Sequence, residues 1–248
     1  GAGNRRPLPG RAGTMGGMKA PADSASPIPE IALLSRAAAP GRLIRREKYS
    51  NYVVFAPFIR AGGESHLVFE KRASRIRQGG EICLPGGAVE ADLRESAGEA
   101  AVRETMEELG LPREKVRLEG SLGVLVTAWG SAVDLFYGVL DIADVGDCRP
   151  HPGEVDRVFS APLRFFRETE PEVHYLRHQV RPEYLDPDGR RVRLPWRELG
   201  LPERYSRPWD LRSYPTSFYR WDGEIIWGMT ADLVQEIIDL SGGVSRGF

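Results

Sequence analysis

The stretch from Leu84 to Leu111 restricts this chain more than any other, because it sets a glycine pair ahead of a helix that crowds its acids onto one side. Leu84-Pro85-Gly86-Gly87-Ala88-Val89-Glu90 is followed by Glu95-Ser96-Ala97-Gly98-Glu99-Ala100-Ala101-Val102 and then by Arg103-Glu104-Thr105-Met106-Glu107-Glu108-Leu109-Gly110-Leu111. On a helix of 3.6 residues per turn, Glu104, Glu107 and Glu108 fall within an arc of about 100°, while Ala101, Val102, Thr105 and Leu109 share the neighbouring arc. The second arc is expected to face a core. Like charges at these spacings oppose helix formation by about 0.2–0.5 kcal/mol per pair, so the first arc needs a counter-charge. An ion-paired, solvated face with Arg103 and Arg113 would supply one. The preceding Pro85-Gly86-Gly87, which lets backbone come close to a ligand, and the Gly110 stop favour a divalent cation instead. Several oxygen ligands in one place suit the hard ions Mg²⁺ or Mn²⁺, which keep waters and share their coordination with substrate phosphates.

Around this segment the pattern is that of an α/β domain. Tyr52–Ile59 and His66–Lys71 are β-branched and aromatic runs separated by Ala-Gly-Gly-Glu-Ser, and predict two strands joined by a turn. A helix is expected over Leu93–Leu109, strands at Val116–Val126 and Val133–Asp141, a loop at Asp144–Gly153 and a short helix at Ala161–Arg167. A final amphipathic helix is expected at Thr230–Leu240, with Leu233, Val234, Ile237 and Ile238 inward. The 168–217 stretch, dense in Pro, Arg, Asp, Tyr and Trp, reads as an insertion or long hairpin at the rim. It could shape a pocket, form a dimer contact or cover a sheet edge. Residues 1–42 are rich in Gly, Ala, Pro and Ser, and the first 21 carry Arg5, Arg6, Arg11 and Lys19 without an acid. They read as a disordered leader or, alternatively, an organelle transit peptide, with Ile31–Leu34 as a candidate turn or small helix. The domain proper is expected over 43–248.

With 34 Lys and Arg against 35 Asp and Glu, the chain has no bulk electrostatic footprint for nucleic acid or an anionic membrane. There is no apolar run of the roughly 18 residues needed to span a bilayer. Cys83 and Cys148 have neither CxxC nor zinc-finger spacing, and a cytoplasmic, reducing setting is the default expectation.

The quoted segment resembles the signature of the Nudix hydrolases, G-x5-E-x7-R-E-U-x-E-E-x-G-U, where U is bulky and apolar. Glu95, seven residues, Arg103-Glu104, Thr105, then Glu107-Glu108, Gly110 and Leu111 follow it in register. Seven residues rather than five separate Gly87 from Glu95, and Thr105 replaces the apolar U residue. The resemblance implies an α/β/α sandwich with a central mixed sheet. It implies that Glu104, Glu107 and Glu108 hold catalytic Mg²⁺ or Mn²⁺, with the Gly87 carbonyl as a further ligand, and that Glu95 and Arg103 form an orienting pair. Hydrolysis of a diphosphate linkage is the implied chemistry.

Upstream, Val68-Phe69-Glu70-Lys71-Arg72-Ala73, Arg77, Gly80 and Leu84-Pro85-Gly86-Gly87 look like the extra motif of coenzyme A pyrophosphatases, L-L-T-x-R-[S/A]-x3-R-x3-G-x3-F-P-G-G. Glu70 stands where that motif has threonine, Leu84 where it has phenylalanine, and Arg77 lies two residues rather than three before the glycine. Glu154-Val155, Ala161-Pro162-Leu163 and Ile226-Trp227-Gly228-Met229-Thr230-Ala231 are similar to later parts of that subgroup. The resemblance implies cleavage of coenzyme A or its thioesters to phosphopantetheine and adenosine 3′,5′-bisphosphate. Arg72 and Arg77 would bind substrate phosphate, together with Gly86 and Gly87. Glu154 is a candidate general base from a facing loop. Trp227 reads as core rather than base-stacking surface, and His151, His174 and His178 are assigned no chemistry. Two alternatives stay open: another nucleoside diphosphate derivative as substrate (ADP-ribose, a dinucleotide or a nucleoside triphosphate), and a non-catalytic binding domain of the same fold. The partner expected is a small molecule, and the oligomeric state is unset, a homodimer being one option.

Overall fold

The computed structural model describes residues 43–89 and 95–242. The expected leader over 1–42, with its Ile31–Leu34 run, and Leu93 of the expected helix lie outside them. Twelve strands and three α-helices are described: β1 (Ser50–Ala61), β2 (Glu64–Arg72), β3 (Ile82–Cys83), β4 (Gly86–Ala88), α1 (Ala97–Leu109), β5 (Val116–Val126), β6 (Ser131–Leu140), β7 (Val155–Pro162), α2 (Leu163–Glu168), β8 (Glu172–Val180), β9 (Glu183–Leu185), β10 (Arg191–Arg193), β11 (Trp209–Trp221), β12 (Glu224–Trp227) and α3 (Gly228–Leu240).

A mixed seven-stranded sheet forms the centre, with strand order β3-β2-β1-β6-β5, β4 on β1 and β7 on β2. β1 and β6 run parallel, Ser50 opposite Ser131 through Phe58 opposite Val139, and the remaining neighbours are antiparallel. Side chains of a strand alternate between faces, and β1 divides its apolar residues accordingly. Val53, Phe55 and Ile59 join Val68 under Ala100, Ala101, Val102 and Leu109 of α1. Val54 and Ala56 join Leu67 and Phe69 on the other face, against Phe166 of α2 and Leu233, Val234 and Ile237 of α3. Helices on both faces of one sheet make the expected α/β/α arrangement.

Two helix starts and three strands differ most from expectation. The acidic helix starts at Ala97 rather than Leu93, because Ser96 is extended and caps it: its hydroxyl accepts from the Glu99 N–H while the Glu99 carboxylate accepts from the Ser96 N–H. Residues 155–162 form a strand the sequence reading lacked, paired to β2 from His66–Pro162 to Arg72–Val155. Consequently Ala161 and Pro162 end that strand, and the short helix begins at Leu163. β3 and β4 are too short to show any period.

Much of the 168–217 stretch lies in two antiparallel strands. These, β8 and β11, continue through β12 as a second, three-stranded sheet. Between them β9 and β10 form a separate two-stranded hairpin. Trp227 is half-buried and stacks on Phe218, ring centroids 5.5 Å apart, and both cysteines are free thiols. Among the described residues no helix is long and apolar enough to cross a membrane.

Candidate functional site

The site begins where β1 and β2 part company. They pair only from Ala61–Glu64 to Phe58–Leu67. Beyond that point β3 continues on β2, with Cys83 opposite Glu70, and β4 continues on β1, with Gly86 opposite Val54 and Gly87 opposite Val53. The crevice so opened is covered by α1. Both glycines are required there by proximity: a Cβ on Gly86 would stand 2.2 Å from the Val53 carbonyl oxygen, and one on Gly87 would stand 2.4 Å from the Glu104 carboxyl carbon. Gly86 also donates its N–H to Glu108 Oε2 at 2.8 Å. The glycine pair and the acidic helix are therefore in direct contact.

Along α1 the core arc is as expected, with Ala101, Val102, Thr105 and Leu109 all buried and the Thr105 hydroxyl donating back to the Ala101 carbonyl at 2.7 Å. The three glutamates do not yet converge. Arg103 donates to Glu95 at 2.9 Å, to Glu104 at 2.8 Å and to Glu107 at 3.2 Å. Glu107 lies outward with its side chain 57% exposed, whereas Glu108 turns under the helix to Gly86 and is only 7% exposed. Among the described residues no three Asp, Glu, His or Cys side chains are already gathered around one point, because Arg103 draws Glu104 and Glu107 to itself. Arg113 takes no part, since it donates to the Val116 carbonyl. Glu95 thus stands against Arg103 and tethers the start of α1 to its middle. The Arg103 guanidinium is held charged chiefly by the Glu95 hydrogen bond.

Two further acids bear on Glu108. Glu70, on β2, is 1% exposed; its Oε1 accepts from the Cys83 thiol at 3.2 Å. Burial foremost pushes both the Glu70 and the Glu108 carboxyls well above the ordinary carboxylate range; Glu104 adds to the rise at both, and Glu70 adds to it at Glu108. Arg72, at the end of β2, opposes this at both, and Glu154 adds its charge to the field at Glu70. Glu154 itself is exposed, on a loop whose backbone carbonyl accepts from the Ala73 N–H at 2.8 Å. Arg77 is exposed on the loop after β2, and its carbonyl accepts from Arg72 Nε at 3.3 Å. Gly86, Gly87, Glu104 and Glu108 are thus brought to one crevice whose buried acids feel Arg72 and, at Glu70, Glu154, while Glu107 stands outward and Arg77 touches Arg72 through its backbone carbonyl.

Buried carboxylates persist when they are paired or coordinate a metal. Here the side-chain donors are hard carboxylate oxygens, and at Glu70 and Glu108 burial and the neighbouring acids outweigh Arg72. The residues present therefore suit a small dication. The residue that sequence reasoning passed over is Glu70. Its signal was available as a charged residue on the same strand face as buried Val68.

The family model of the NUDIX domain matches residues 50–185. Three curated relatives are similar. Nudix hydrolase 15, mitochondrial, of Arabidopsis thaliana is 33% identical over 50% of this chain and 43% of its own length. Peroxisomal coenzyme A diphosphatase NUDT7 of Mus musculus is 30% identical over 56% and 61%. The uncharacterized Nudix hydrolase NudL of Escherichia coli (strain K12 / DH10B) is 27% identical over 74% and 79%. The chain therefore spans about half the length of the first two. With the crevice, its glycine pair and its acidic helix in the region matched, the chain belongs to the Nudix family.

Proposed function

We propose that this protein is a Mg²⁺- or Mn²⁺-dependent hydrolase that splits the diphosphate linkage of coenzyme A or its thioesters. The observation that carries the reading is the burial of Glu108 and the close approach of Glu104 at a backbone with no side chains, Gly86-Gly87, on the surface Arg72 also borders. The similarity to a coenzyme A diphosphatase supports the choice of substrate.

In this reading Glu104, Glu107 and Glu108 would hold the cation, with the Gly87 carbonyl beside them. The bound dication would supply charge neutralisation at the phosphoryl oxygens and a lower pKa for an attacking water. Arg103, fixed by Glu95, keeps Glu104 and Glu107 poised at the helix surface. Arg72 and Arg77 bind phosphate oxygens of the substrate, the 3′-phosphate included, since guanidinium stays charged and pairs bidentately. Glu154 accepts the proton of the water whose oxygen joins one phosphorus while the bridging oxygen leaves with the other. The products are phosphopantetheine (or its acyl derivative) and adenosine 3′,5′-bisphosphate.

The test is hydrolysis of a substrate panel with Mg²⁺, Mn²⁺ or chelator, with products identified by mass. Coenzyme A should be cut in the presence of either ion and its 3′-dephosphorylated form cut more slowly, while Glu107→Gln and Glu108→Gln should each lose about 10²-fold or more in rate. Undiminished turnover in the Glu108→Gln protein, or no cleavage of any diphosphate, overturns the proposal. Preference for ADP-ribose or a dinucleotide would keep the metal chemistry and move the substrate.

A further inference from the structure

We propose that Glu70 is an additional carboxylate ligand of the cation, supplied from the sheet side of the crevice opposite α1. The inference rests on the metal-dependent reading above and extends it to a position where the resembling motif carries threonine.

Three observations place it there. First, strand alternation fixes the direction: Val68 lies in the cluster beneath α1, so Glu70, two residues on, takes the same face, while Phe69 points into the α2–α3 cluster and Lys71 pairs with Glu224 at 2.9 Å. Second, Glu70 Oε2 is buried and, among the described residues, has no hydrogen-bond partner, although Oε1 of the same carboxylate is satisfied by Cys83. A buried carboxylate oxygen left unpaired is costly, and native structures rarely keep one unless a proton, water or ion fills the gap. Third, the charges that act on it are those of the crevice, Arg72, Glu154 and Glu104, and its own charge acts in turn on Glu108. A dication held between Glu108 and Glu70 would satisfy Oε2, offset the repulsion between the two acids and leave room for waters and phosphate oxygens. A threonine there offers one neutral hydroxyl, so the chain gains a charged donor. The competing arrangement is a proton shared between Glu70 and Glu108, which needs no ion.

Two measurements separate these outcomes. Mn²⁺ affinity is measured by electron paramagnetic resonance and by thermal shift on the full chain, for the parent, Glu70→Gln, Glu70→Thr and Glu107→Gln. The expected result is binding by the parent that is weakened about tenfold or more in both Glu70 variants. A parent that binds, with Glu70 variants that bind equally well, overturns this inference and leaves the proposed function standing. A parent that binds no Mn²⁺ overturns both. Should the variants fail to fold, anomalous diffraction from a Mn²⁺-soaked crystal of the parent decides. A manganese peak about 2.2 Å from Glu70 Oε2 supports the assignment, and one more than about 4 Å away overturns it.

Discussion

Adjacent glycines with different neighbours make the sharpest contrast at the scale of single residues. A Cβ on Gly86 meets the backbone of Val53, which cannot yield without parting β4 from β1. A Cβ on Gly87 meets only the far end of Glu104. Gly86→Ala is therefore expected to lose about 1–3 kcal/mol of stability, read as a fall in Tm. Gly87→Ala should keep its Tm to within about 3 °C, yet lose roughly a hundredfold in diphosphate hydrolysis, because the Glu104 carboxylate is displaced. Equal losses of stability in the two variants would refute the distinction. The glycine pair, Arg103 and the run of acids were legible as a local pattern, whereas the parting of Glu107, outward beside Arg103, from Glu108, turned under to Gly86, was not. For Glu70 the alternation of β2 marked the inward face, but not that Cys83 of β3 would stand opposite it or that its charge would act on Glu108 of a helix distant in sequence.

Elements were legible to the extent that they are long and periodic. β1, β2, β5, β6, α1 and α3 stand within a few residues of expectation, whereas β7 was missed because Asp156, Arg157 and Pro162 interrupt its alternation. The start of α1 had a local signal in Ser96-Ala-Gly-Glu99, the capping box. Ser96→Ala should cost about 1 kcal/mol, and a thermal melt should show it as a drop of about 2–4 °C. α3 carries Asp232, whose carboxylate accepts from the Tyr214 hydroxyl. Burial raises the Asp232 pKa above its ordinary 3.8, and burial with Asp232 beside it pushes the Tyr214 hydroxyl up to about 12. Because the folded chain holds the Asp232 proton more tightly than the unfolded one, stability is greatest below the unfolded value and is lost as pH rises through the folded one. Asp232→Asn, which keeps an acceptor for Tyr214, should melt no lower than the parent at pH 7. Its relative advantage should shrink as pH falls through the raised folded-state value of Asp232 toward the ordinary 3.8. An advantage that grows on acidification would contradict this.

At the scale of the whole molecule, the strands between 168 and 217 pair outside the central sheet. The β9–β10 hairpin is held by its own pairing and by Leu194 N–H on the Pro182 carbonyl, and Leu185 at its tip is 68% exposed. Replacing residues 183–193 with a short Gly-Ser turn should leave Tm within about 3 °C and Mn²⁺ affinity unchanged, as calorimetry would show, since surface segments remote from a core contribute little. The parallel pairing of β1 with β6 bears on something else, namely how the protein is made. Ser50 has to wait for Ser131, roughly eighty residues behind it on the ribosome, so at ordinary synthesis rates the nascent chain spends about 4–16 s with its central strand open on one side. During that interval the glutamate helix already exists as sequence but has no finished floor to lie on, and the strand edge of Ser50–Phe58 is what a chaperone would meet first.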